Sequence, residues 1–163
     1  MPFLTSRILL LTFISLISLN AESQSEADQK KQPLKSLIES KKFAFIALSA
    51  TSKKGKTVQL SPGYGLKIDG DNLQADLPYY GRAYTTTYPP DKNGGIQFNS
   101  SDFSYQADTT KKSGWEITLK PKGLPVSAIY LSISSNGFCS VRINSSDRDP
   151  ISYYGTIADN TGQ

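Results

Sequence analysis

The side chains best suited to specific contact lie in Leu77-Pro-Tyr-Tyr-Gly-Arg-Ala-Tyr84, which packs three tyrosines and an arginine into one short stretch. Tyrosine offers a rigid apolar ring with a polar tip, and a guanidinium offers forked donors. This is the chemistry of recognition rather than of bond making. Tyr79, Tyr80, Arg82 and Tyr84 are therefore the candidate contact surface, with Arg148 of Asp147-Arg-Asp149 as a neighbouring candidate. With Tyr88, Tyr153 and Tyr154, the tyrosines could line a groove for a sugar, a peptide or a lipid. The competing reading is that half of them close a barrel end and cap the core. For Asp147-Arg-Asp149, an internal ion pair competes with presentation of Arg148 to an acidic ligand.

The bond-making chemistries find little support. The chain has no histidine, which removes the Ser-His and Cys-His nucleophile pairs and most metal sites. Its single cysteine, Cys139, lacks a base and falls at an inward strand position, as a small core residue. Ala50-x-x-x-x-Gly55-Lys56-Thr57 matches a loose phosphate-loop pattern. That mechanism needs a helix after Thr57, and Val58-Gln-Leu-Ser-Pro62 cannot supply one, so a lysine-rich hairpin turn is expected. Asp69-Gly-Asp-Asn72 lacks the further acidic positions of a calcium loop and reads as another hairpin turn. The carboxylates fall mostly in turns or on outward faces, which gives no catalytic set, and nothing calls for a cofactor or a metal.

The elements that must carry these residues read as strands from Phe43 onward. Pro33 can open a short amphipathic helix through Leu34, Leu37 and Ile38, ending near Lys42. Phe43 to Leu48 is apolar at successive positions and predicts a strand buried on both faces. The turn Asp69–Asn72 sets Ile68 opposite Leu73 and Leu66 opposite Ala75. A turn at Asn99–Asp102 would likewise set Phe98 opposite Phe103 and Ile96 opposite Tyr105. Trp115, Ile117 and Leu119 mark one strand, and Ile129, Leu131 and Ile133 the next. A loop Ser135–Gly137 with Gly137 left-handed then places Ile133 across from Cys139 and Leu131 across from Val141, and turns Arg142 outward. A last strand is expected from Ile151 to Ile157, with a frayed tail over 159–163. Pro78 and Gly81 make the tyrosine-rich stretch a shaped crossing segment rather than a regular strand. The fold class is mainly β, an antiparallel meander closed into a sandwich or barrel with one short N-terminal helix.

The N-terminus bears on where the protein acts. Residues 1–21 read as a cleaved signal peptide: Arg7, an apolar run from Ile8 to Leu19, and a small Ala21. That run is shorter than the ~20 residues a stable span requires. No cysteine follows it to take a lipid, so export without a stable membrane anchor is expected, to the periplasm or the extracellular space. Residues 22–32 are polar and aperiodic, a disordered leader, and 33–158 form a single β domain. The net charge of +4 comes from lysines scattered in pairs rather than a stripe, which argues against a nucleic-acid partner. Asn99-Ser-Ser and Asn144-Ser-Ser fit glycan acceptor sequons, relevant only in a eukaryotic secretory pathway.

Four segments in order, Leu77-Pro-Tyr-Tyr-Gly-Arg-Ala-Tyr84, Gly95-Ile-Gln-Phe98, Trp115-Glu-Ile117 and Ile151-Ser-Tyr-Tyr-Gly155, resemble the exported proteins of Bacteroidetes grouped as domain of unknown function 4251. The resemblance runs from about Leu37 to Ile157. It implies a periplasmic or outer-envelope setting and no activity. Many relatives look like lipoproteins, and this chain departs from them in lacking the lipidation cysteine.

These observations lead to the expectation of a non-catalytic envelope protein that binds an unknown ligand or protein through Tyr79, Tyr80, Arg82 and Tyr84, near Arg148. The alternatives are a carboxylate-based hydrolase of glycans or peptides, and an inhibitor that docks a loop such as Thr85–Gly95 into an exported enzyme.

Overall fold

Alternation of apolar and polar residues builds one continuous sheet, seen in a computed structural model that describes residues 34–84, 94–111 and 113–160. A short helix, α1 (34–39), precedes the strands. They are β1 (Lys42–Ser52), β2 (Thr57–Gln59), β3 (Gly65–Asp69), β4 (Asn72–Leu77), β5 (Ile96–Ser100), β6 (Phe103–Thr109), β7 (Trp115–Pro121), β8 (Val126–Ile133), β9 (Phe138–Ser145) and β10 (Ile151–Asp159). Their order is β5-β4-β3-β1-β10-β9-β8-β7-β6, with β2 also on β1, and the sheet coils into a nearly closed antiparallel barrel. The expected signal peptide (1–21) and leader (22–32) lie outside the described residues.

Two meanders make up the sheet, and β1 joins them. Along one side β1 pairs with β10 from Phe43↔Asp159 to Ser52↔Ile151. Along the other it pairs first with β3 and then with β2. The change of partner coincides with a bulge between Ala47 and Ser49. There the Ala47 N–H donates to the Tyr64 carbonyl and the Leu60 N–H to the Leu48 carbonyl, both at 2.9 Å. A bulge bends its strand and increases local twist, which helps a long strand follow a barrel wall.

Inward positions form one core. Phe43, Phe45, Leu66, Ile68, Leu73, Leu119, Ile129, Leu131 and Val141 are almost fully buried, each side chain worth on the order of 1.5–3 kcal/mol. Leu34 and Ile38 of α1 bury into the same core. The Tyr105 hydroxyl ties the helix to the wall by donating to the Ile38 carbonyl at 3.0 Å. Burial pushes that phenol up to about 12.

Several expected registers are present. Ile68 faces Leu73 and Leu66 faces Ala75 across a tight turn with Gly70 at φ 60°. Ile133 faces Cys139 and Leu131 faces Val141, with Gly137 at φ 86°. Cys139 is buried, Arg142 points outward, and burial pushes the thiol up to about 12. Lys53–Lys56 forms the β1–β2 turn and Thr57 opens a strand, so no phosphate-binding helix follows it.

Three expectations need correction. The Phe98–Phe103 and Ile96–Tyr105 pairs do not form. β5 pairs with β4 and β6 with β7, and these consecutive strands are the two edges of the sheet. Those pairings put the same residues inward, Phe98 beside Ala75 and Tyr105 beside Leu119, so alternation alone could not identify the neighbour. β1 is not buried on both faces either: Leu48 is 44% exposed and Ile46 half-buried, because no second layer covers the barrel exterior. Finally, β10 extends past Ile157 to Asp159, and the buried Asn160 amide donates to the Ile68 carbonyl at 3.0 Å.

The β1–β10 contact leaves no room for a side chain at Gly155, where an added Cβ would overlap the Ile46 carbonyl oxygen. Gly155→Ala is expected to lower the unfolding free energy by about 2–4 kcal/mol, measured by urea denaturation. Gly55→Ala, at a turn where a Cβ meets no atom but φ is 82°, should cost only ~1 kcal/mol.

Candidate functional site

After β4 the chain leaves the sheet at Pro78 and crosses the barrel end to meet the loop between β9 and β10. The contact is a small piece of antiparallel pairing. Ala83 bridges Arg148, the Tyr84 N–H donates to the Asp147 carbonyl at 2.7 Å, and the Asp149 N–H donates to the Arg82 carbonyl at 3.0 Å. Residues far apart in sequence are thereby joined edge to edge.

Side chains brace this bridge from beneath. The Tyr79 hydroxyl shares its proton between the Arg82 and Asp149 carbonyls, at 2.9 and 3.1 Å. Burial raises its phenol above the ordinary value. Tyr79 also folds back beneath Gly81, where an added Cβ would collide with the phenol ring. Tyr153, almost fully buried, donates to the Pro78 carbonyl at 2.8 Å, and burial pushes its phenol above the ordinary range. Arg148 lies at the centre. Its Nη2 contacts the Asp147 carboxylate at 3.0 Å, its Nη1 donates to the Gly95 carbonyl at 3.1 Å, and its guanidinium carbon sits 5.0 Å from the centre of the Tyr79 ring. The side chains of Arg148 and Asp147 are only 14% and 11% exposed. Arg148 thus holds three segments together: the Tyr79 turn, the start of β5 and its own loop.

The expected contact residues therefore separate into two groups. Tyr79 and Arg148 are engaged internally, and the Asp147–Arg148 ion pair is formed. Tyr80, Arg82 and Tyr84 lie on the outside, with Tyr80 41% and Tyr84 57% exposed. The second tyrosine pair is divided by strand alternation, since Tyr153 points into the core and Tyr154 away from it. The five described tyrosines do not line one groove, and Tyr88 and the loop 85–93 lie outside the described residues.

Lys53 and Asp149 also belong to this site. Lys53 Nζ contacts Asp149 Oδ1 at 3.0 Å, and the Tyr84 hydroxyl donates to the same oxygen. Bonds from Tyr84 and Lys53 hold the Asp149 carboxyl below its ordinary 3.8, and Asp149 in turn raises Lys53. The ion pair draws the lysine-bearing β1–β2 turn against the crossing segment, so Lys53, Arg82 and Tyr84 gather around Asp149. The individual residues were visible in the sequence, but nothing local joins position 53 to position 149.

The grooves at Asp76, at Asp147 and at Glu116 contain one carboxylate each. Asp108 and Glu116 face outward directly across β6 and β7, but Asp108 is bonded along β6 to Gln106 and Glu116 across to Ser132 on β8. Among the described residues no acidic or thiol cluster could hold a metal ion.

Arg148→Ala leaves Asp147 without its partner in a nearly buried position, and a loss of roughly 3 kcal/mol in unfolding free energy is expected. Tyr79→Phe removes one hydroxyl and should cost about 1 kcal/mol. Denaturant titration checks both. Asp149 also makes stability depend on acidity. Its folded pKa lies below the unfolded one, so its contribution is present above about pH 4 and is lost as pH falls through the folded value. Asp149→Asn should therefore destabilise the protein at pH 7 and flatten the acid limb of a stability–pH curve.

Comparison with known proteins follows the same outline. No curated protein matches the sequence. A crystal structure of a DUF4251 family protein from Bacteroides eggerthii superposes with a TM-score of 0.60 at 15% identity, covering 80% of this chain and 87% of that one. A likeness at that identity speaks to the fold. The sequence model for the domain of unknown function DUF4251 matches residues 25–157, most of the chain, and the protein belongs to that family.

Proposed function

We propose that the protein is an exported, non-catalytic binding module whose recognition surface is Tyr80, Arg82 and Tyr84 together with the Lys53–Lys56 turn. One observation carries the reading. The crossing segment is fastened underneath by Tyr79, Tyr153 and Arg148, while its other aromatic and cationic side chains are left in water. A surface already held in place loses little conformational entropy when it binds, and tyrosine and arginine are the residue types that carry most interface energy. Export rests on the sequence of residues 1–21.

This surface is richer in cations than in anions. Lys53, Lys54, Lys56 and Arg82 are exposed, and the nearby Asp149 is taken up by Lys53 and Tyr84. The reading therefore favours a partner with an acidic surface, such as an acidic glycan or an acidic face of an envelope protein.

Salt-gradient elution from immobilised polygalacturonate tests this reading. Arg82→Glu with Tyr84→Ala should elute at clearly lower salt than Lys120→Glu, a variant with the same charge change placed on the outer face of β7. Co-elution of the two variants would reduce the effect to net charge and remove the surface assignment. Export is checked in a bacterial host by the mass of the mature chain, which should begin close to Glu22.

A further inference from the structure

The outer face of β7 to β10 carries a second surface, away from the crossing segment. Phe138 on β9 and Tyr154 on β10 point into solvent, 42% and 46% exposed. Their rings are nearly parallel, 10° apart in plane, with centroids separated by 5.8 Å. The register places Tyr154 across from Ser140 and Phe138 across from Thr156, so the two rings are diagonal neighbours on one face. They border a groove of about 790 Å³ that also carries the polar side chains of Ser132, Ser134, Ser140, Asn136 and Glu116, beside Ile133 and Cys139. The Ser132 hydroxyl donates to Glu116 Oε1 at 2.7 Å, which orients the carboxylate and uses only part of its acceptor capacity.

We propose that this groove binds an uncharged glycan chain. A pyranose ring has an apolar C–H face and a rim of hydroxyls that both donate and accept. Phe138 and Tyr154 supply flat apolar surface for the C–H face. Glu116, Asn136 and the serines supply acceptors and donors for the hydroxyls. Other occupants fit the groove less well. An acyl chain needs a continuous apolar lining, and here hydroxyl, amide and carboxylate groups interrupt it. A peptide strand needs a free sheet edge, whereas β8, β9 and β10 are each paired on both sides. A strongly charged ligand needs an excess of one sign, and the groove lining holds one acid, Glu116, and one base, Lys111. This site is independent of the Tyr80–Tyr84 surface and stands or falls without it.

Two-dimensional amide NMR of the purified protein, titrated with cellohexaose, laminarihexaose, maltohexaose, mannohexaose and xylohexaose, provides the test. At least one of these should shift amides around 132–140 and 154 in a saturable way. Tyr154→Ala and Phe138→Ala should each weaken that binding about tenfold or more. Tyr154→Phe should preserve it, and Glu116→Gln should weaken it without changing the melting temperature. Both aromatics are exposed, so the alanine variants should fold, as far-UV circular dichroism verifies. The proposal is overturned if no probe shifts these amides at about 5 mM, a concentration that would populate even millimolar sites. It is equally overturned if binding survives both alanine variants, or if only a polyuronate binds at this groove.

Discussion

A single strand holds the molecule together. β1 supplies one edge to β10 and the other to β3 and β2, so without it the backbone pairing between the two meanders would shrink to the Ala83–Arg148 bridge. This sets strict demands on its neighbours. Gly155 on β10 and Gly65 on β3 lie where a Cβ would overlap the carbonyl oxygens of Ile46 and Phe45. The close approach on both sides lets Phe43, Phe45 and Ala47 turn inward while β1 bends at its bulge. Packing in such an interior tolerates little change in volume. The short α1 then closes the core with Leu34 and Ile38, fastened through Tyr105.

The same division between core and surface shapes the barrel end. Arg148 is a long cation placed where little water reaches it, and an unpaired charge there would be costly. Asp147, the Gly95 carbonyl and the Tyr79 ring meet that demand together. Because Arg148 and Tyr79 face inward, the residues between Tyr79 and Tyr84 are held in one path with Tyr80, Arg82 and Tyr84 outside. The internal tyrosines make the external ones available in a fixed arrangement.

The outer wall of the barrel has a different character. A single curled sheet has no second layer to cover its exterior, so outward apolar residues remain in water. Leu48, Tyr130, Phe138 and Tyr154 are all of this kind. Only Phe138 and Tyr154 are stacked against each other beside a polar groove. Scattered exposed apolar residues are ordinary on protein surfaces, whereas a paired arrangement with polar partners is suited to binding.

What could be read from the chain follows from the range of each signal. Alternation in Leu73-Gln-Ala-Asp-Leu77 and in Trp115-Glu-Ile-Thr-Leu119 sets which side chains face inward, because the pleat has a period of two. Gly70 and Gly137 set two hairpin registers, because only a few turn geometries join adjacent strands. The absence of histidine and the placement of Cys139 limited the available chemistry before any fold was known. Alternation does not identify the partner strand, however, since every neighbour places its apolar residues on the same inner face. Hence β5 and β6, consecutive and expected to pair, became opposite edges, and β1 acquired partners from both ends of the chain. The tyrosines were visible as a composition, but their roles were not. Tyr79 and Tyr80, adjacent in sequence, separate into a half-buried brace and an exposed side chain only when Asp149 and Arg148 arrive from the β9–β10 loop. That meeting depends on closure of the whole sheet, so tertiary structure alone decided it.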